Sequence, residues 1–486
     1  MRTAKSRSER IRAGLDHPII DSDGHIVEFE PLVLDYLQEI GGSSIVDRYK
    51  TNRDQSGYLS WHGLSAAQRT DIRATRTPWW GIPAKNTLDR GTIMLPELLY
   101  QRLDEMGLDF TVLYPTLGFI VPPLFNDEEL RGAACRAFNC YYADLFKEYS
   151  DRIAPVAVIP MHTPKEAIAE LEYSVETLGF KAVVMAGPVL RPIPSIERQY
   201  PGASRSASFL DTFCIDSEFD YDPVWAKCEK LKVVPTFHAS GMGWGSRTSI
   251  SNYMYNHIGN FAAAGEAMCK SLFMGGVTRR FPNLKFAFLE GGVGWACSLY
   301  ADLIGHWEKR NIKDLENYNP DNLNKEMLLD LFSRYGGDRF HKKLDQIGAG
   351  SALLEGNREN PASINEWTAC QIDQVTDIAN LFVPCFYFGC EADDPVNTWA
   401  FNTKGNPFGS QLNTLFGSDI GHWDVPDIAD VVGEAYEPVE KGLISEMNFK
   451  DFVFTNPASF YASLNTDFFK GTIVEGEVKK LLSTNK

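Results

Sequence analysis

Short apolar runs alternate with amphipathic stretches along most of the chain. Residues 153–159 (IAPVAVI) form one such run. Thr163-Pro164-Lys165-Glu166 follows with a helix-starting pattern: a capping hydroxyl, proline in the first turn and an acid three residues on. Ile168, Leu171, Val175 and Leu178 then fall on one helical face, and Gly179 is placed to end the helix. Residues 182–185 are the next apolar run. The same grammar returns at Asp222-Pro223, which starts a helix through Leu231 ahead of an apolar run at 233–237. It returns again at 284–289, which leads through Gly291-Gly292 into a helical stretch containing Trp295 and Leu299. Ile19-Ile20, 110–114, 382–388 and Leu415-Phe416 are further strand candidates, and Pro235 weakens the strand it sits in. Eight short apolar strands, several separated by helices, predict a parallel α/β architecture.

Length refines that picture. A closed eight-stranded barrel takes ~250 residues, and the chain has 486. The surplus is expected in insertions near 40–100, 186–222, 239–280 and 305–380, carried on one barrel domain over 18–470. Flexible tails are expected at 1–17, which is basic, and at 471–486. The net charge of −17 disfavours a nucleic-acid partner. No stretch approaches the ~20 apolar residues of a membrane span. The basic N-terminus has no apolar run behind it, so it does not read as a secretory signal; a frayed terminus and an Arg/Ser-rich import peptide stay open. The nine cysteines are scattered without a C-x-x-C pair, which points to reduced thiols and a cytoplasmic setting.

Four places carry candidate chemistry. In Ile19-Ile20-Asp21-Ser22-Asp23-Gly24-His25, alternation on a strand points Asp21, Asp23 and His25 the same way. His238 directly follows the run at 233–237. Glu290 ends the run at 284–289 and precedes two glycines. Asp419 stands in Phe416-Gly417-Ser418-Asp419. Singly, each has an ordinary structural use: a polar turn, a satisfied core histidine, a helix-capping acid. Together they end four predicted strands, and in a parallel barrel those ends ring one mouth. Asp23, His25, His238, Glu290 and Asp419 make a mixed nitrogen and oxygen set that suits Zn, Mn or Fe(II), its oxygens favouring Mn or Fe.

With these segments in this order, the sequence resembles the amidohydrolase superfamily. The branch it is most similar to contains aminocarboxymuconate-semialdehyde decarboxylase and related aromatic-acid decarboxylases. Besides Asp23-x-His25, the resemblance rests on the helix from Pro164 that ends in Leu178-Gly179-Phe180-Lys181, and on Pro223-Val224-Trp225 leading to His238. It also rests on Phe281-Pro282-Asn283-Leu284 leading to the glycine pair, and on Phe416-Gly417-Ser418-Asp419. It spans residues 19–427 between the insertions. It implies a (β/α)8 TIM barrel with a divalent metal at the strand ends. Asp23 and His25 match the first-strand ligands, His238 the fifth-strand histidine, and Asp419 the eighth-strand aspartate that binds metal and handles a proton. Two departures stand out. Glu290 occupies a place where many members have histidine. Met185 and Ala186 stand where a lysine would end strand four, which puts a lysine-carbamate bridge in doubt.

Glu28 lies three residues beyond His25, and His422 three beyond Asp419. Adding them gives seven possible ligands, enough for two metals. Glu28 has a loop-capping role as its alternative; His422 has a role behind the ligands or as a general acid/base. Trp244, His257, Trp295, Glu391 and Trp423 are candidates for a substrate pocket. The expected function is a metal-dependent hydrolase or non-oxidative decarboxylase acting on a small carboxylated or cyclic substrate, with Asp419 and His422 catalytic. A dinuclear Fe/Mn oxygenase and a non-catalytic barrel subunit are the alternatives. The insertions suggest a homo-oligomer or a complex of related subunits.

Overall fold

The computed structural model describes residues 5–55, 61–77, 84–203, 207–238, 248–347 and 364–484. Ten strands run in chain order: β1 (Ile20–Ile26), β2 (Phe110–Pro115), β3 (Ile153–Val158), β4 (Ala182–Val184), β5 (Val189–Pro192), β6 (Ser208–Asp211), β7 (Pro235–Phe237), β8 (Phe286–Phe288), β9 (Phe386–Glu391) and β10 (Asn413–Gly417). Eight form one sheet in the order β1-β2-β3-β4-β7-β8-β9-β10, and every neighbouring pair is parallel. Two backbone bonds draw its ends together: Asp419 N–H donates to Asp23 O, and His25 N–H to Ile420 O, each at 2.9 Å. The sheet is the expected eight-stranded barrel, with helices around it.

The strands are short and buried, as a sheet covered on both faces requires. Between sheet and helices lies an aromatic layer. Phe237 stacks on Phe286 and Phe288, Trp225 meets Phe286 edge-on, and Trp295 meets Phe288 and Phe388 edge-on. Pro235 opens β7, a strand position where a missing N–H is tolerated. The apolar run at 382–388 splits differently from expectation. Its start ends an amphipathic helix, Val375–Phe382, and only Phe386 onward is strand. Apolarity alone cannot separate a buried helix end from a buried strand.

Both expected tails are instead docked. Arg7–Gly14 is a helix capped by Ser6. Its Ser8 is buried and accepts from the N–H groups of Val432 and Gly433 at 3.2 and 3.1 Å. At the other end Val474 and Val478 are buried, and Glu475–Thr484 is helical. A buried hydroxyl at one end and two buried valines at the other help anchor these segments.

Helices occupy parts of three of the stretches expected as insertions: Glu30–Gln55, kinked at Gly42, Asn260–Met274 and Gly294–Arg310. The insertion after β4 is an antiparallel hairpin of β5 and β6. The first insertion reaches across to residues 248–257. Arg69 and Arg76 stack on Trp61 at 3.5 and 4.5 Å, Trp61 Nε1 donates to Ile250 O, and Arg76 N–H donates to Ser249 O. The nine cysteines are free. Among the described residues no helix is long and apolar enough to cross a membrane.

Candidate metal centre

β1 delivers two ligands from one end because its pairing shifts register between Asp21 and Gly24. The shift breaks strict alternation. Asp23 and His25 reach the mouth, whereas Asp21, expected beside them, turns sideways into Ser418 and Thr111. Gly417 lets Asp23 past, since a Cβ there would stand 2.9 Å from Asp23 Cβ. His238 follows β7. Glu290 and Asp419, just beyond β8 and β10, have left-handed backbones with φ of 58° and 48°. Ala186, after β4, shares that conformation with φ 46°. Outside glycine such backbones cost ~1–3 kcal/mol each and persist where the surroundings impose them.

The reactive atoms converge. His25 Nε2 is 3.0 Å from His238 Nε2, 3.4 Å from Asp23 Oδ1 and 3.5 Å from Asp419 Oδ1. His238 Nε2 is 3.0 Å from Glu290 Oε2 and 3.5 Å from Asp23 Oδ1. His422 Nδ1 is 2.6 Å from Asp419 Oδ1, and its ring stacks on His25 at 3.8 Å. His25 Nδ1 lies 3.2 Å from Pro115 O. A proton on that nitrogen satisfies the carbonyl and leaves Nε2 with a lone pair facing the cluster. Two ligand sets result, each with atoms within 4.8 Å of one another: Asp23, His25 and His238, and His25, Glu290, Asp419 and His422.

These residues fit a divalent cation. Asp23 Oδ1, Glu290 Oε2 and both oxygens of Asp419 are buried without a hydrogen bond of acceptable geometry. Separations of 3.0 to 3.5 Å between these atoms would suit ligands that share one ion at bonds of ~2.1 Å. Protonation tells the same story. Burial pushes the Asp419 carboxyl well above the usual carboxylate range, reinforced by Glu290, Asp424 and Glu391. Burial also raises Glu290 to about 7. It opposes charge on Asp23 too, but His238 and His25 outweigh it and bring that group to about 2. Asp23 and Glu290 likewise overcome burial at His238 and raise it to about 10. His25 and His422 are lowered by burial, His422 further by its imidazole neighbours. The pocket thus demands positive charge among its carboxylates.

Glu28 is not part of the cluster. Its carboxylate accepts from the N–H groups of Thr116 and Gly118, both at 3.1 Å, from Leu117 N–H at 2.8 Å and from the Tyr142 hydroxyl. It caps the short helix Leu117–Ile120 after β2. Its oxygens are already held by these donors and it stands outside both clusters of ligand atoms, so the expectation that it is a ligand is corrected.

The pocket candidates separate as well. His257 stacks on Tyr253 and meets Trp423 edge-on at 5.5 Å. Phe261 joins His257 to the cluster, 6.2 Å from its ring and 5.4 Å from that of His238. Glu391 ends β9, and burial raises its carboxyl well above the normal range, followed by Glu290 and Asp424. Trp295 packs into the aromatic layer, with its indole nitrogen 3.1 Å from where a Gly291 Cβ would stand. Trp244 lies outside the described residues. Phe119, 4.7 Å from the His238 ring, was not foreseen, since nothing in an apolar stretch after β2 marks one aromatic as facing the mouth. Cavities of about 550 and 230 Å³ lie elsewhere, on the outer helices and behind the strand starts.

The amidohydrolase family pattern matches residues 70–316, which include His238 and Glu290 but not Asp23, His25 or Asp419. Solved structures share the fold. Dihydroxybenzoic acid decarboxylase from Polaromonas sp. JS666, determined with manganese and the inhibitor 2-nitroresorcinol, is 15% identical. The alignment covers 93% of this chain and 99% of that one, with a TM-score of 0.52. An amidohydrolase from Mycobacterium avium subsp. paratuberculosis K-10 is 16% identical over 92% of this chain and 98% of that one, with a TM-score of 0.52. At these identities the likeness is one of fold.

Proposed function

Because the chain belongs to the amidohydrolase family, we propose that it is a metal-dependent hydrolase or non-oxidative decarboxylase acting on a small cyclic or carboxylated substrate at the barrel mouth. The observation that carries this reading is the convergence of histidine and carboxylate atoms from four strand ends in two buried sets that share His25. Asp23, His25, His238, Glu290 and Asp419 are the proposed ligands. A divalent cation held there supplies Lewis acidity, lowering the pKa of water or polarising a substrate oxygen. Asp419 then holds or returns a proton at the substrate, and His422, 2.6 Å away, relays it. His257, Trp423 and Phe261 form an aromatic wall beside the ligands, which favours a flat ring as the bound group. Manganese and hydroxylated aromatics, as found in the Polaromonas decarboxylase, are the first metal and compounds to test.

One observation favours a second reading. The two ligand sets share His25 and otherwise use different residues, as a two-cation site requires. A pair of Fe or Mn ions would make the same mouth an oxygenase. We also place the chain in the cytoplasm, which its free cysteines support, and read it as an oligomer from its long insertions, which light scattering tests. The deciding experiment is elemental analysis of protein purified without chelator. About one equivalent of Mn or Zn supports the first reading, and about two of Fe or Mn the second. No metal, with none taken up on reconstitution, overturns both.

A further inference from the structure

Asp21 stands outside both ligand sets, yet the strands that carry Asp23 and Asp419 meet at its side chain. The carboxylate is fully buried and accepts four hydrogen bonds. Oδ1 receives Ser418 N–H at 2.9 Å and Asp23 N–H at 3.2 Å. Oδ2 receives the Ser418 hydroxyl at 2.7 Å and the Thr111 hydroxyl at 2.8 Å. Ser418 immediately precedes Asp419. β1 and β10 are the two ends of the sheet order and share no ladder. Their register at the mouth therefore rests on this carboxylate and on the two backbone bonds from Asp419 and His25.

The local backbone is shaped around the same group. A Cβ on Gly24 would stand 2.6 Å from Asp21 Oδ2 and 2.8 Å from Thr111 Oγ1, so only glycine lets the register shift bring them together. Across the gap, Asp419 holds a left-handed backbone with φ 48°. A non-glycine residue keeps that conformation only if its neighbours are held, and Ser418 is held twice by Asp21.

We infer that Asp21 is a positioning residue for the metal site: by clamping Ser418, it sets the separation of Asp23 and Asp419 across the barrel seam. This rests on the reading that the cluster binds a divalent cation. Groups behind the ligands typically change metal affinity ~10–100-fold when removed.

The test is Mn(II) binding to the full chain, measured by chelator competition and by the electron paramagnetic resonance line shape of bound Mn(II). Asp21→Asn keeps size but replaces an acceptor oxygen with a donor, so the Ser418 and Thr111 hydroxyls lose their acceptor. It is expected to weaken Mn(II) binding ~10–100-fold and to change the line shape. Ser418→Ala, which keeps the backbone bond, is expected to act in the same direction to a smaller extent, and it carries the test if Asp21→Asn does not fold. Thr111→Val removes one hydrogen bond to Asp21 without touching Ser418 and reports the stability loss alone. Wild-type affinity and line shape in a folded Asp21→Asn or Ser418→Ala, with a lowered Tm as in Thr111→Val, would make Asp21 merely structural and overturn the inference. Absence of Mn(II) binding by the wild type would instead overturn the proposed function, and this inference with it.

Discussion

Buried carboxylates near His25, along the chain or in space, are of two kinds that differ in what meets their oxygens. Glu28 is surrounded by donors: three backbone N–H groups and a tyrosine hydroxyl. Asp23, Glu290 and Asp419 are surrounded by imidazole nitrogens and one another, and four of their oxygens find no proper donor. Both groups are buried acids near a strand end. A carboxylate with its donors supplied is finished; one whose oxygens face lone pairs still needs a cation. The comparison also explains why spacing misleads here. Glu28 and His422 sit at equal distances along the chain from a ligand, but only His422 joins the cluster.

The sharpest way to break the comparison is to remove one residue from each side. His238→Ala is expected to weaken metal binding by more than ~100-fold and to abolish turnover; unchanged metal content by elemental analysis would remove β7 from the site. Glu28→Gln leaves donors facing an amide and is expected to cost ~1–3 kcal/mol of stability, with metal stoichiometry unchanged. If Glu28→Gln lost metal, the distinction between the two groups would collapse. Chelation gives a third measurement. Metal at 100 times its Kd should add ~2.7 kcal/mol to stability. Wild type and Glu28→Gln should show the same Tm increment on adding Mn(II), and His238→Ala none. A smaller effect is expected at the aromatic wall. His257→Ala should leave metal content alone and raise KM roughly 2–12-fold, the worth of one aromatic contact of ~0.5–1.5 kcal/mol. An unchanged KM would mean that the ring only packs against Trp423.

These contrasts also mark what was legible in the sequence. The helix from Asp222 and the strand ends carrying His238, Glu290 and Asp419 follow from apolar runs bounded by turn residues, because that grammar is local. The mouth was legible because parallel strands place their ends together. Glu28's role was not. It depends on three backbone N–H groups nearly ninety residues away, and no side-chain pattern announces them. Asp21's turn was hidden for a related reason, since its partner Ser418 lies four hundred residues on and the shift in the β1–β2 pairing has no local signature. The docked N-terminus escaped because polar residues, a buried Ser8 among them, do much of what a hydrophobic stripe usually does.

The smallest expected effect compares two histidines. His238 lies between two carboxylates and is raised to about 10. His162, just beyond β3, is lowered to about 3, first by burial and then by Arg131 and Arg191. The sign follows from which state binds the proton first. With a folded pKa below the ordinary 6.5, the unfolded chain protonates first as pH falls. His162 therefore costs nothing above pH 6.5, and it takes stability away progressively as pH falls from 6.5 toward about 3. Its ring is only partly covered, so water screens the arginines and the loss should be modest. His162→Asn removes the titration. The Tm difference between wild type and variant should be constant above pH 7 and should shift against the wild type between pH 6 and 4. A pH-independent difference over that range would show that His162 meets water freely, and that burial by itself does not separate the two histidines.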